Sequence, residues 1–281
     1  SSAASDVYKR QGCSGLCPTQ ELVDAYEMAN GSTPIIGYNA DGTPIINGAS
    51  GYSETGFAAT AGKHYPAGVY NMYVGREPRF YASINFNGQQ WRGRQLEFWQ
   101  GGKDGINVSK VDYCCTGYLL RKTADEGVDV INGKGGMKEA SILFRVGSLY
   151  LDYAEALNEA EGPVDDVYKY VDAIRKRAGL PGLAKGLDKD KMRERIQHER
   201  QIELAFEAGH RYFDCHRWKI AEKTDNGYMH GMNITATNKV DYSKRSTVGD
   251  SRVFEKKHYL FPIPQSEMDK RIGLVQSPYW E

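Results

Sequence analysis

Two carboxylates that fall inside the apolar stripe of a helix constrain this chain more than any other feature. The segment from residue 199 to residue 218 reads ERQIELAFEAGHRYFDCHRW, and its first half continues a helical pattern. At roughly 100° per residue, one side of that helix collects Met192, Ile196, Ile202 and Phe206. Glu199 and Glu203 lie near the middle of the same side, whereas a surface helix places its carboxylates opposite the stripe. Because an unpaired buried carboxylate is costly, both side chains need partners.

Two interpretations of this carboxylate pair are open. Glu199 and Glu203 are either an acid/base or metal-binding pair, or the anchors of a buried ion-pair network that fixes how the helix meets the segment after it. We favour the network, since structural networks also place paired charges inside proteins. Three arginines in or just beyond the helix are the expected bidentate partners: Arg200, Arg211 and Arg217.

Length and charge narrow the class of protein. A chain of 281 residues and 31.4 kDa can bury the core of one large or two small domains. Its 36 acidic and 36 basic residues cancel, whereas a nucleic-acid binder normally carries a basic excess, so we expect no nucleic-acid partner. The 19 tyrosines outnumber the 9 phenylalanines, which is typical of surfaces that recognise polar ligands, although tyrosine also serves β-structure.

The sequence contains no complete metal or cofactor motif. HERQI at residues 198–202 matches the zincin helix H-E-x-x-H only in part, because Ile202 stands where the second histidine ligand must be. The five cysteines are odd in number and lack paired C-x-x-C spacing, so we interpret them mainly as small apolar side chains. Residues 39–42 (Asn-Ala-Asp-Gly) offer oxygen ligands to a structural calcium ion, but without EF-hand spacing. We therefore expect no cofactor and no metal site.

The chain divides into a loop-rich part, a helical part and a second loop-rich part. Residues 1–11 are small, polar and unpatterned, and we interpret them as a non-native leader. Residues 12–140 are rich in turn residues; the run FYASINF predicts a strand, and Asn87-Gly88 after it predicts a hairpin. Residues 141–220 are helical. Residues 221–281 are expected to be loop-like, with a short apolar strand and a small helix near residues 266–270.

An αα-hairpin is expected at the start of the helical part. Its first helix is predicted to bury a face made of Val146, Leu149, Tyr150, Tyr153, Ala154, Leu157 and Ala160. Gly162 ends this helix and Pro163 begins the second one. The pair resembles one tetratricopeptide unit, but no second copy follows in register, so we do not predict a solenoid. Asp190 is expected to cap the third helix, which carries the carboxylate pair.

The stretch from residue 199 to residue 218 resembles the signature of the SusD/RagB family, the surface glycan-binding lipoproteins of Bacteroidetes outer membranes. The matching residues are Glu199, Arg200, Glu203, Phe206, Glu207, Gly209, Arg211, Tyr212, Phe213, Asp214, Arg217 and Trp218. Further segments resemble the family in the expected order: PTQELVDAYEM, GREPRFYASINFNG, LYLDYAEALNEA, IRKRAGLP and YLFPIPQSEM. The resemblance covers the chain from about residue 17 to the C-terminus. This part of the chain is similar to the C-terminal half of family members.

This resemblance implies a mainly α fold in which tetratricopeptide-like helical pairs pack against a loop-rich portion with short strands. It implies a position on the outward face of the cell outer membrane, with a lipid anchor in an N-terminal segment that we expect to be absent from this chain. The implied partners are a glycan and a SusC-like TonB-dependent transporter that receives it. The implied role is nutrient uptake without catalysis.

Non-covalent binding of an oligosaccharide is the activity we expect. The apolar faces of sugar rings stack on aromatic side chains, and their hydroxyls pair with amides and charged groups. The predicted stacking residues are Tyr73, Tyr81, Trp91 and Trp99, and the predicted polar partners are Asn87, Gln89 and Arg92. Since large aromatics more often fill a core, packing is the competing role for each ring.

Two other classes of function stay open. A glycoside hydrolase would use two carboxylates at a set separation, but Glu199 and Glu203 stand one turn apart on one helix instead of projecting from separate elements. A tetratricopeptide-like scaffold that binds only protein would expose apolar helix grooves and would not respond to sugars. Titration with glycans, together with an assay for new reducing ends, separates the three classes.

Overall fold

Helices and short two-stranded sheets make up the protein in the computed structural model, which describes residues 16–106, 113–124, 126, 142, 144–207, 209–270 and 272–280. The helices are α1 (Gln20–Ala25), α2 (Pro78–Ser83), α3 (Val146–Glu161), α4 (Asp165–Arg177), α5 (Lys189–Glu203), α6 (His210–Arg217), α7 (Ala221–Thr224), α8 (Lys239–Tyr242) and α9 (Gln265–Met268). The strands are β1 (Ile35–Tyr38), β2 (Pro44–Ile46), β3 (Ile84–Asn85), β4 (Gln90–Trp91), β5 (Arg94–Gln95), β6 (Leu119–Leu120), β7 (Gly227–Met232) and β8 (Arg245–Arg252). They pair antiparallel as β1–β2, β3–β6, β4–β5 and β7–β8. Helix dominates and the strands stay short, as the sequence predicts.

The long helices α3, α4 and α5 pack on one another and form the helical part. Only three residues join α3 to α4, so the two helices form the predicted αα-hairpin. Ala154 of α3, Val167 and Val171 of α4, and Met192 and Ile196 of α5 meet in a common buried cluster. This cluster fixes the position of α5, and with it the position of the carboxylate pair at the end of α5.

Helix starts differ from the predicted caps. The second helix begins at Asp165 with Val164 as its N-cap, so Pro163 precedes the helix instead of opening it. The N-cap of α5 is Asp188, whose carboxylate accepts a 2.8 Å hydrogen bond from the backbone N–H of Lys191. The prediction of Asp190 as the cap was wrong because two acidic residues stand near this helix start, and only the backbone conformation decides which of them caps it.

The face that α3 buries also differs from the predicted one. Leu151, Ala154 and Asn158 are fully buried, whereas Val146 and Leu149 are 60% and 53% exposed. Of the predicted face, only Ala154 lies in the core, and Tyr150 and Leu157 pack at its edge. The prediction failed because α3 has apolar residues on more than one side, and periodicity does not say which side meets α4 and α5.

A tight hairpin forms in the first loop-rich part, but not at the Asn-Gly dipeptide. β4 and β5 pair Trp91 with Arg94, so the two-residue turn is Arg92-Gly93, with φ angles of 47° and 83°. Positive φ at both central positions is the turn geometry that matches the twist of paired strands. Asn87-Gly88 lies in a separate turn before β4. The prediction of a hairpin at Asn87-Gly88 was therefore wrong in position by a few residues.

Two segments adopt regular structure that the sequence pattern does not predict. The run FYASINF begins in helix α2, because Pro78 occupies the first helical position and favours that start. Between residues 227 and 252, where loops are expected, β7 and β8 form the longest strand pair of the described chain. β8 escapes prediction because it reads RSTVGDSR and is half-exposed or exposed along its length, so it needs no alternating apolar pattern.

An aromatic core holds the loop-rich part together. Its fully buried rings belong to Tyr26, Tyr73, Phe80, Phe86, Trp91, Phe98, Tyr118 and Tyr242. The Tyr73 and Phe86 ring centroids are 4.4 Å apart, and those of Phe80 and Phe86 are 5.2 Å apart. Close ring contacts therefore replace extended sheet as the source of order in this region. Among the helices of the described chain, none combines the length and hydrophobicity that crossing a bilayer requires.

Candidate functional site

The two carboxylates of α5 are the centre of a buried ion-pair network. Glu199 and Glu203 are 1% and 3% exposed. The Nη1 atom of Arg79 donates to Glu199 Oε1 at 2.6 Å and to Glu203 Oε2 at 3.1 Å, so one guanidinium joins both carboxylates. The Nη1 atom of Arg175 donates to Glu199 Oε2 at 3.1 Å and thereby ties α4 to α5. The network interpretation of this pair is confirmed.

The same network continues beyond the end of α5. Arg145, which precedes α3, donates to Glu203 Oε1 at 2.6 Å and to Glu207 Oε2 at 2.7 Å. Lys122 lies 2.5 Å from Glu207 Oε1, and Arg177 lies 2.5 Å from Glu203 Oε1. Five separate segments of the chain therefore meet at these carboxylates, and the network positions the loop-rich part on the helical part.

The predicted cationic partners of Glu199 and Glu203 were wrong, because Arg200 and Arg217 pair with other carboxylates and Arg211 pairs with none among the described residues. Arg200 donates to Asp214 Oδ2 at 3.0 Å instead. Arg217 donates to Asp214 Oδ1 at 2.8 Å and also pairs with Glu155 of α3. Trp218 Nε1 donates to the same Glu155 at 2.7 Å. These contacts form a second network that fixes α6 against α3. Arg211 takes no part in either network.

The protonation of the carboxylate network follows from its partners. Burial opposes the charged form of Glu203, but the hydrogen bond from Arg145 and the charges of Arg177 and Arg79 outweigh it, so the pKa of Glu203 lies below its ordinary value. At Glu77, burial prevails over the attraction of Arg79, and the pKa is raised. Glu203 is thus held ionised inside a ring of cations, where neither it nor Glu199 faces a space that a sugar ring can enter.

The predicted stacking rings lie mostly in the aromatic core. Tyr73 and Trp91 are each 1% exposed and offer no face to a ligand. Tyr81 is 5% exposed, and its hydroxyl donates to the backbone carbonyl of Tyr73 at 2.5 Å. Trp99 is partly buried against the same core. The prediction that Tyr73 and Trp91 stack on sugar therefore disagrees with the structure, in which packing, the competing role, holds for both rings.

The predicted polar partners hold the backbone around that core. The Asn87 side chain accepts a 2.9 Å hydrogen bond from the N–H of Phe98, and Asn87 is 6% exposed. Gln89 is 2% exposed and accepts from the N–H of Phe86 at 3.3 Å. Arg92 occupies the tight turn between β4 and β5. Asn87 and Gln89 are consequently committed to the fold, which leaves little of either amide for a ligand.

A shallow depression does reach two of the predicted residues. Tyr81 and Gln89 border a cavity of about 670 Å³, whose lining also includes His64 and Tyr65. The ring of His64 stacks on Tyr81 with centroids 5.2 Å apart and an interplanar angle of 21°. Because the rings of His64 and Tyr65 both stack on Tyr81, which is 5% exposed, this depression presents little of the ring that the sequence indicated.

A second depression, which we call the tyrosine groove, is richer in exposed aromatic surface. Its volume is about 560 Å³, and its walls are Thr19, Glu21, Leu22, Tyr38, Gly42, Gln201, Ala205, Phe206, Arg211, Lys223, Thr224, Asp225, Asn226, Tyr228, Met229, His230 and Arg252. Tyr38 of β1 and Tyr228 of β7 are 47% and 52% exposed. Phe206 adds a half-buried ring just after α5. The groove therefore combines apolar ring faces with a polar rim.

Several polar groups of the tyrosine groove are fixed in place. The backbone N–H of His230 donates to Glu21 Oε1 at 3.0 Å, and the ring Nδ1 of His230 lies 2.6 Å from the same oxygen. The hydroxyl of Tyr38 donates to Asp24 at 2.6 Å, which orients that ring at the groove wall. Burial and the neighbouring charge of Asp24 raise the pKa of Tyr38, so its hydroxyl stays protonated.

Sequence reasoning missed the groove because its walls come from distant segments. Tyr38 lies in the first sheet, Phe206 follows α5, and Tyr228 lies in the unpredicted β7–β8 hairpin. The sequence indicated a ligand-binding surface only through its excess of tyrosine, and this excess does not show which tyrosine rings share a surface. No local pattern marks Tyr38 and Tyr228, because tertiary packing decides which strand faces stay exposed.

Metal ligands do not gather in the described part of the chain. No group of three His, Cys, Asp or Glu side chains there could hold a metal ion. In the loop considered for calcium, Asp41 Oδ1 accepts from the backbone N–H of Thr43 at 3.0 Å and from its hydroxyl at 2.7 Å. This carboxylate closes the turn between β1 and β2.

Comparison with known proteins assigns the family. A model described as the SusD family matches residues 1–280. The chain belongs to the SusD family. SusD-like protein P2 of Formosa agariphila is 29% identical over 154 residues, which are 51% of this chain and 26% of that protein. The solved structure of a SusD-like protein from Bacteroides fragilis is 31% identical, covers 99% of this chain and 49% of that chain, and has a TM-score of 0.73.

A more distant solved structure from Bacteroides fragilis, described as a SusD-like carbohydrate-binding protein, is 22% identical with a TM-score of 0.64. It covers 90% of this chain and 47% of that one, and this likeness shows the fold alone. The SusD/RagB resemblance and the SusD-like, mainly α fold are confirmed. This SusD-family chain spans about half the length of the solved relatives. The predicted leader at residues 1–11 lies outside the described residues.

Most charged residues of the SusD signature in this chain therefore stabilise the fold through ion pairs. Glu199, Glu203 and Glu207 anchor the first network, and Arg200, Asp214, Arg217 and Trp218 build the second. Arg211 is the exception among the charged signature residues, because it lines the tyrosine groove.

Proposed function

We propose that this chain contributes the glycan-binding surface of a non-catalytic cell-surface protein, and that the tyrosine groove holds the sugar. The observation that carries the proposal is the pair of half-exposed rings, Tyr38 and Tyr228, on the walls of one groove. Sugar C–H faces stack on such rings, and the hydroxyls at the ring edge pair with amides such as Gln201. Membership of the SusD family, with a relative described as carbohydrate-binding, supports this chemistry.

The proposal extends to the place of the whole protein in the cell. In it, the protein is held on the outward face of the outer membrane by a lipid anchor and passes its glycan to a SusC-like TonB-dependent transporter for nutrient uptake. The helical pair α3–α4 would act as a tetratricopeptide-like unit within it. Family membership and the Bacteroides relative support this extension. Binding would need no cofactor, so dialysis against a chelator is expected to leave the affinity unchanged.

Calorimetric titration of the chain with soluble plant, microbial and host glycans tests the proposal. Saturable heat without new reducing ends is the expected result. Replacing Tyr228 by alanine removes one stacking ring and should weaken binding about 5- to 150-fold, for about 1–3 kcal/mol per ring. The control is Tyr153→Ala, since Tyr153 is 46% exposed on α3, away from the groove.

The other outcomes assign the other functions. New reducing ends that disappear in a Glu199→Gln variant would establish the hydrolase. No heat with any glycan, from this chain and from a full-length protein alike, would favour a scaffold that binds only protein. Equal losses in the Tyr228→Ala and Tyr153→Ala variants would place the sugar outside the tyrosine groove.

A further inference from the structure

We infer that the tyrosine groove selects acidic glycans, whose sugars carry a carboxylate or a sulfate group. The inference rests on the proposed function and adds the class of ligand. Its central observation is Arg211, in the first turn of α6, whose half-buried side chain lines the groove. Within the described ranges, its guanidinium makes no hydrogen bond and no ion pair. The neighbouring signature arginines, Arg200 and Arg217, are instead fully engaged with carboxylates.

A half-buried arginine without a carboxylate partner can bind an anion. The guanidinium carries five N–H donors in a planar fork that matches a carboxylate or a sulfate group. A neutral sugar that covered it would remove water from the charge without compensating it, and that desolvation is unfavourable. An acidic sugar replaces the water with a charge-assisted hydrogen bond. The same site therefore binds the acidic sugar more tightly than its neutral counterpart.

The surrounding charges point the same way. Lys223 of α7 and Arg252 of β8 also line the groove. Within the described part of the chain, Arg252 donates only to the backbone carbonyls of Gly227 and Thr224, at 3.4 Å each, and no carboxylate there neutralises its charge. Of the two carboxylates in the lining, Glu21 bonds to His230 through Oε1, while its Oε2 has no hydrogen-bond partner among the described residues. Three cations therefore face two carboxylates, those of Glu21 and Asp225, and the lining keeps a net positive charge.

Aromatic rings and cations on the same walls define the shape of the ligand. Tyr38 and Tyr228 offer faces for pyranose rings, while Arg211 offers donors for a substituent at the ring edge. A free inorganic anion would use only the second feature, and a neutral oligosaccharide only the first. A glycan with uronate or sulfate groups uses both.

Matched pairs of glycans test the selectivity of the intact chain. One pair is an oligogalacturonide and its methyl ester, and a second pair is a sulfated galactan oligosaccharide and its desulfated form. Calorimetry should show about tenfold or tighter binding of the acidic member in at least one pair, since hydrogen bonds to charged groups are the stronger kind. The advantage should shrink as ionic strength rises. The pair that shows it tells a carboxylate ligand from a sulfate ligand.

Variants show whether the groove is responsible. Arg211→Gln should abolish most of the acidic advantage, Arg211→Lys should restore part of it, and Asp225→Asn should enlarge it. Lys176→Gln, which removes an exposed charge on α4 away from the groove lining, should change nothing. If the Arg211→Gln variant does not fold, as judged by circular dichroism, Lys223→Gln takes its place, because Lys223 is exposed and unpaired within the described residues.

Each remaining outcome overturns a defined claim. Equal or tighter binding of the neutral member in both pairs would overturn acidic selectivity and leave the glycan-binding function intact. No binding of any member, in this chain and in a full-length protein, would overturn both. If the preference for acidic glycans persists in both Arg211→Gln and Lys223→Gln, its source lies outside the tyrosine groove.

Discussion

Replacing Glu203 by glutamine is expected to lower the free energy of unfolding by about 3 kcal/mol, near the low end of the range for removing one partner of a buried ion pair. The low end applies because the cations keep other partners: Arg79 retains Glu199 and Glu77, and Arg145 retains Glu207. The loss is still substantial, since Glu203 is 3% exposed and accepts from three arginines. The new amide would also turn an N–H donor towards a guanidinium.

Urea unfolding followed by circular dichroism measures this change directly. For a domain of this size, about 3 kcal/mol corresponds to a drop of roughly 6 °C in the melting temperature. The matched control is Glu159→Gln, because Glu159 pairs with Arg193 at 2.6 Å in a solvent-exposed setting. That pair should contribute about 0.2–1 kcal/mol. A Glu203→Gln variant no less stable than the Glu159→Gln control would refute the argument that the buried network holds the two parts of the chain together.

Two further predictions concern acid stability and a crowded turn. The pKa values of Glu27, Glu203 and Glu207 are lowered despite burial by their arginine and lysine partners, so their contribution to stability is complete above the unfolded-state pKa of about 4.3 and is lost as the pH falls through the lower folded-state values. Glu77, whose pKa burial raises, works in the opposite sense, but it is one group against three. The urea concentration at the unfolding midpoint should therefore decrease once the pH drops below about 4.5, and Glu203→Gln should make that decrease smaller. Gly117→Ala should destabilise the fold by about 1–3 kcal/mol, since φ is 80° and the new Cβ would lie 2.5 Å from the Tyr242 hydroxyl. Gly68→Ala, with φ of 82° and open space around its Cβ, should cost only the backbone strain, and equal melting temperatures for the two variants would contradict the crowding at residue 117.

The sequence predicted what local pattern can encode. The helical part from α3 to α5 was visible because its apolar residues recur at helical spacing and glycine ends its first helix. The buried network was visible because two carboxylates stood inside an apolar stripe, where physics demands partners. Their actual partners were not visible, since Arg79, Arg145 and Arg175 come from other segments, up to 124 residues away.

The candidate site was the least predictable part of the molecule. Trp91 and Tyr73 looked like platforms because a list of aromatic residues does not distinguish a core ring from a surface ring. Tyr38 and Tyr228 became neighbours only when the β7–β8 hairpin, half-exposed and weakly patterned, packed beside α1. Local propensity decides helices, whereas the walls of a groove depend on contacts between segments that share no local signal.

The sequence by itself determined the family, the helical hairpin and the need for a buried charge network, because each is written in spacing along a short segment. The tertiary structure alone decided which cations meet Glu199 and Glu203, and which aromatic rings stay on the surface. It also separated Arg211 from the other signature arginines, since only packing decides whether a guanidinium meets a carboxylate of its own chain or faces an open groove. The physical reason is that burial and pairing are properties of a place in the fold, and a residue type carries only the capacity for them.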